Sequence, residues 1–183
     1  MICAGALYTQ AQPSQQQPAG LEPEWDIRPV LQEIGDHAAR LLPALERIDA
    51  KSWVEKGASE TYAAQLQSSK EQAKALADGA RALARNPDKL SASLELFFRI
   101  EGLETMLASL EEGMRKYQSP ADAQELASQE AENGANRERL RRYIVNLAAE
   151  REQQFQVMDR EAQRCRGAVT TTPAPPRKPE RKK

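Results

Sequence analysis

The stretch AKALADGARALARNPDKLSASLELFFRIEGL, residues 73–103, decides the fold. Asn86-Pro87-Asp88 at its centre supplies a stop and a restart in three residues. Proline ends one helix and is favoured at the first position of the next, with Asn86 placed to cap it. Upstream, Tyr62, Leu66, Ser69, Ala73, Leu76, Ala80 and Leu83 recur at alternating steps of four and three, the period of an amphipathic helix with one apolar seam. The alanines along this seam let a neighbouring helix approach closely. Downstream, Leu96, Ile100, Leu103, Leu107, Leu110, Met114 and Tyr117 keep the same period, while Leu90, Leu94, Phe97 and Phe98 widen the apolar face at its start. So short a joint forces the two helices to lie antiparallel.

The same device recurs at Ser119-Pro120-Ala121-Asp122, where serine caps, proline starts and aspartate favours the first turn. A further helix therefore begins at Pro120, and its pattern extends to about Arg166. That length, roughly 70 Å, exceeds its partners, and the seam is poor at Glu130, Asn133 and Arg137. Asn133-Gly134-Ala135-Asn136 is the natural place for a break, although a continuous helix is the favoured reading. Leu140, Ile144, Leu147, Phe155, Met158, Ala162 and Cys165 then read as core, with a stutter in the step through Arg151 to Phe155.

Towards the N-terminus, Ile27, Leu31, Ile34, Ala38, Leu41, Leu45 and Ile48 define another helix over residues 26–50. Asp26 can cap it, Pro29 is tolerated in the first turn, and Pro43 lies on the outward side, where a kink that leaves the core closed is expected. A connector over residues 49–58 contains Ser52-Trp53-Val54-Glu55, which has the form of a capping box, and Gly57 with Ser59 offers a second start. The expectation is thus an all-α antiparallel bundle of four long helices, the fourth either continuous or broken near Gly134, with a disordered tail at each end.

Composition supports this reading and divides the chain. The 183 residues are 40% hydrophobic, 29% charged and only 5% aromatic, enough for one domain whose core must be mostly leucine and alanine. Residues 1–25 read as a signal-peptide remnant (MICAGAL) followed by a Gln/Pro-rich linker, residues 26–166 as the bundle, and residues 167–183 as a Pro-rich basic tail that Gly167 initiates. An extracytoplasmic location, periplasmic or secreted, is the corresponding expectation, with a cytoplasmic one as the alternative. Residues 166–183 carry six Lys/Arg against one Glu, which leaves 20 Lys/Arg against 26 Asp/Glu in residues 1–165. The body is acidic and the tail basic. No apolar run reaches the roughly 18–20 residues of a membrane span.

Catalytic and metal chemistry find little to work with. His37 is the only histidine, which removes paired-His zinc sites and the two Glu-x-x-His motifs of a ferritin-like centre. Glu33 and His37 read as a helix-surface pair. If residue 26 is level with residue 166, His37 lies near Phe155 and Met158, which would bring a His/Met pair together for haem; Met158 reads better as core. Arg137, Arg139, Arg141 and Arg142, with Tyr143, spread around their helix and are interrupted by Glu138, so a solvated salt-bridging surface is expected in place of a nucleic-acid site. The tail lysines and arginines suit non-specific anionic contact. Glu111-Glu112 and Glu130-Glu132 read as solvent faces. Cys3 and Cys165 make no disulfide framework.

The expected function is accordingly a non-enzymatic helical scaffold or protein-interaction module, binding a protein partner or itself through its helix seams, with no catalytic residues, metal or cofactor. The alternative is a small-ligand carrier with a cavity around Trp53, Tyr62, Phe97 and Phe98.

Overall fold

A computed structural model describes residues 26–171, with side chains to residue 167; the expected signal remnant, linker and most of the basic tail lie outside the described residues. Along the described residues run six helices: α1 (Arg28–Glu46), α2 (Ala50–Glu55), α3 (Thr61–Arg85), α4 (Leu90–Tyr117), α5 (Pro120–Ala131) and α6 (Gly134–Thr171). No described residue is in a strand. Long α1, α3 and α4 run up, down and up; α5 and α6 together form the fourth rod, and both pack on α4 and α1.

The seams are buried where the period puts them. Leu31, Ile34, Ala38 and Leu45 of α1 are fully enclosed, as are Ala73 and Ala80 of α3 and Leu110 of α4. Each large aliphatic side chain removed from water in this way contributes about 1.5–3 kcal/mol. Small residues bring α1 and α3 close together: a Cβ added at Gly35 would stand 3.3 Å from the Ala77 carbonyl oxygen. Pro43 lies inside α1 with its ring exposed, and the helix runs through it to Glu46.

Several helix ends differ from the sequence reading. Asn86 closes α3 instead of opening α4, which begins behind Lys89. Pro87 is buried and its carbonyl accepts a hydrogen bond from the Tyr143 hydroxyl at 3.0 Å; the joint is thus a packed turn. The connector holds a short helix, α2, capped by Asp49, whose side chain accepts from the Ser52 N–H at 3.2 Å. Glu55 ends α2 and is not its capping partner. Ser119 does cap α5, accepting from the Asp122 N–H at 3.3 Å.

The expected continuity of the fourth helix is corrected. It breaks at Glu132-Asn133, where the Asn133 N–H reaches back only as far as Glu130, before the Arg137 N–H to Asn133 carbonyl bond opens α6. Asparagine and glycine are weak helix formers, and between Leu126 and Leu140 no large aliphatic residue is buried to hold a straight ladder. At its other end α6 continues past Gly167 to Thr171, so the glycine does not end the helix.

Candidate interaction surface

The fourth rod is built from the Ser119-Pro120 joint outwards, and this fixes its level against α1. Arg47 pairs with Glu125 at 2.7 Å, Arg40 approaches Glu132 at 4.0 Å, and His37 Nε2 donates to the Gln129 carbonyl at 2.7 Å. Near the other end of the bundle, Tyr143 reaches Pro87 and an Arg151 guanidinium nitrogen donates to the Asp88 carbonyl at 3.1 Å. The start of α1 is therefore level with the mid-140s of α6. Residue 26 does not stand level with residue 166; the expected alignment is displaced by about six turns.

Two site expectations fall with that alignment. His37 and Met158 are not neighbours: His37 is buried against α5, while Met158 is 69% exposed on the far part of α6. Nor are Glu33 and His37 a surface pair. Glu33 bonds Arg40 at 2.9 Å, and His37 belongs to a second buried row, Val30, Ile34, His37, Leu41 and Ala44, on the flank of α1 next to the main seam. A helix contacting neighbours on two sides needs this wider face. Among the described residues no group of three or more His, Cys, Asp or Glu is arranged to hold a metal ion.

Around His37 the core is polar. Asn133 is buried, and its Oδ1 and the Gln129 Oε1 have no hydrogen-bond partner among the described residues. Asn133 adjoins a cavity of about 10 Å³ bordered also by His37, Glu104 and Glu130 among leucines, a volume on the scale of a single water and far below that of an organic ligand. Arg137 bridges from the start of α6 to Glu104 and to Glu101. Burial pushes the Glu104 carboxyl above its usual range; Arg137 opposes this and Glu130 adds to it. Glu111 is raised in the same way, by burial and then by Glu130. Glu111 and Glu130 are thus half-buried across the α4–α5 interface, and of the acids expected on solvent faces only Glu112 and Glu132 are exposed.

Of the arginine cluster, Arg137, Arg141 and Arg142 are engaged along their own helix and across to α4. Arg141 makes paired bonds to Glu138 at 2.7 and 2.8 Å, and Arg142 lies 3.9 Å from the same carboxylate. The four residues expected to enclose a ligand are not brought together. Trp53 is fully buried in an aromatic group with Tyr62 and Tyr117, ring centroids 5.6 and 6.5 Å away, and packs over Gly113, where a Cβ would stand 2.7 Å from its ring. Phe97 contacts Phe98 edge-on, and Phe98 is 65% exposed. That pair lies about 24 Å along α4 from Gly113.

Among the described residues, the surface with the largest unmet apolar content is the outer part of α6. Leu140, Ile144 and Leu147 are buried, yet every residue from 149 to 167 is exposed, including Phe155 at 71%, Val157 at 56% and Met158 at 69%. Phe155, Met158, Ala162 and Cys165, expected in the core, therefore stand in solvent because α6 runs on past the ends of α1, α3 and α4. Polar neighbours bond along their own faces, Gln163 to Asp159 at 2.9 Å and Arg164 to Glu161 at 2.8 Å, and leave the apolar stripe clear. At the root of this arm a groove of about 380 Å³ opens between Leu90 of α4 and Ala148, Arg151 and Phe155 of α6. None of the helices is long and apolar enough to cross a membrane, among the described residues. No family model, curated protein or solved structure matches this chain, so its functional reading rests on this projecting helix.

Proposed function

We propose that the chain is a non-enzymatic interaction protein whose bundle serves as a rigid base and whose α6 arm docks a protein helix. The observation that carries this reading is the exposed stripe of Phe155, Met158, Ala162 and Cys165 on a helix that runs clear of the rest of the described bundle. Helices in proteins draw most of their stability from packing an amphipathic face, and exposed contiguous apolar surface rimmed by polar residues marks sites of association. Helix-in-groove and coiled-coil pairing use this pattern of anchors.

A photoreactive amino acid placed at position 155, and separately at the exposed body position Lys74, tests it in cells producing the full chain. Irradiation should give discrete protein adducts through position 155 and not through position 74. Equal, diffuse labelling at both positions would remove the basis for the proposal.

A further inference from the structure

We propose that α5 is a proton-operated latch. It closes on α1 and α4 when a carboxyl between α4 and α5 carries a proton, and opens as a unit, on the hinge at Glu132-Asn133, when these carboxyls are ionised.

Packing holds α5 weakly. Of its 12 residues only Ala123 and Leu126 are buried, whereas α4 buries Leu96, Ile100, Leu103, Leu107 and Leu110 along one face. Segments with so little apolar burial open locally, at less free energy than the fold as a whole. The ion pair of Arg47 with Glu125, at 2.7 Å, is exposed at both side chains and adds little. The break at Asn133 separates the end of α5 from the α6 ladder. What holds this end down is therefore set by the polar groups beneath it.

Those groups are rich in acceptors and short of donors. The Gln129 carbonyl accepts the His37 Nε2–H at 2.7 Å, and Arg137 serves Glu104 and Glu101. Asn133 Oδ1 and Gln129 Oε1 are buried with no partner among the described residues. Beside them, the Glu130 carboxyl borders the same small cavity as Glu104, His37 and Asn133. An ionised carboxylate can only accept, whereas a protonated one supplies an O–H donor. A proton on Glu104 or Glu130 thus relieves like-charge repulsion across the α4–α5 interface and adds a donor where acceptors are unpaired.

Charged groups face Glu130 from each helix packed there. α4 brings Glu101, Glu104 and Glu111, with Arg115 beside Glu111. α1 brings His37 and also Arg40, which is shared between Glu33 and Glu132. α6 brings Arg137, and α3 contributes Leu76 to the cavity wall. Acids predominate in this set.

The sign follows from what opening removes. Burial, opposed at Glu104 by Arg137 and reinforced at both by Glu130, holds the Glu104 and Glu111 carboxyls above their ordinary range. Opening α5 takes away Glu130 and part of that burial, so the open state binds these protons less tightly than the closed one. Closure is favoured at low pH and weakens as pH rises through the raised values.

Hydrogen–deuterium exchange on the full chain, resolved by residue and corrected for intrinsic rates, can compare the α5 amides from Ala123 to Ala131 with those of α4. Measurements at about pH 4 and about pH 7 lie on either side of the ordinary glutamate value. At the higher pH α5 should exchange faster than α4, and its protection relative to α4 should rise several-fold at the lower pH. Glu130→Gln, which removes the charge and keeps the side-chain shape, should hold that ratio near its acid value at both pH values. Glu125→Gln on the exposed side of the same helix should preserve the pH difference. So should His37→Gln, which keeps an N–H for the Gln129 carbonyl.

Equal protection of α5 and α4 at both pH values, or changes in step, would show that no separate latch exists. A pH difference that survives Glu130→Gln, or one that is lost in Glu125→Gln or His37→Gln, would place the sensor elsewhere and would also overturn the proposal.

Discussion

The inner and outer halves of α6 share one helix, one period and one face, yet one is core and the other is surface. Leu140 is fully buried and Phe155 is 71% exposed, although both occupy seam positions. The difference is made by the neighbours. Over residues 134–148 the stripe meets α1 and α4; past the groove beside Leu90 no described helix stands opposite it. A heptad seam specifies which way a helix faces, and the partner's length specifies how much of that face is covered.

The largest expected contrast is between matched truncations in the two halves. Leu140→Ala should destabilise the fold by about 2–5 kcal/mol, whereas Phe155→Ala should change folding stability by no more than about 0.5 kcal/mol, both read by denaturant unfolding at concentrations where the chain is monomeric. Equal losses would mean that the outer half is part of the folded core after all.

The closed end of the bundle offers a second contrast with the open end from which the arm leaves. Gly113→Ala drives a methyl group into the buried Trp53 ring and should cost about 1–3 kcal/mol, with a shift in tryptophan emission. Gly102→Ala, facing open space on the same helix, should stabilise by up to about 1 kcal/mol. If both were neutral, the aromatic seal would be looser than its geometry shows.

Shortening the chain to residues 1–151 removes the arm and should leave the melting midpoint of the monomer within about 2 °C of the full chain. A larger loss would show that the arm supports the bundle.

The smallest effect concerns the half-buried acids on which the inner core rests. Burial first, and Glu130 second, hold the Glu111 carboxyl above its ordinary range. The folded state therefore binds this proton more tightly than the unfolded chain, and the associated stability is present at low pH and lost as pH rises through the raised value. Glu111→Gln should raise the melting midpoint at about pH 7 and make little difference at about pH 3, below the ordinary carboxylate range. An equal shift at both pH values would indicate a packing effect instead.

Much of the fold is legible in the chain itself. The seam from Ile27 to Ile48 is buried at every position named from its spacing, and Ser119-Pro120 begins α5 where the cap and proline place it. The departures have identifiable causes. A single narrow seam on α1 puts His37 at the surface, whereas α1 packs on α3 and on the fourth rod together. Counting the level of α6 from the chain ends misplaces it; counting 1.5 Å per residue from the Ser119-Pro120 joint, which sits beside the connector after α1, puts His37 near Gln129. The Asn133-Gly134 break is visible as a run of weak helix formers. Whether it interrupts the ladder depends on what α4 and α1 hold on either side.

By itself, then, the sequence determined the helical class, the main apolar seam of each long helix and the joints that make neighbours antiparallel, because period, capping and proline chemistry act within a few residues. Only the tertiary structure decided that Trp53 fills the gap above Gly113, that His37 is inside, and that no other described helix covers the outer stripe of α6. Those outcomes depend on where separate helices end relative to one another, and an error in level accumulates over each helix instead of being corrected locally.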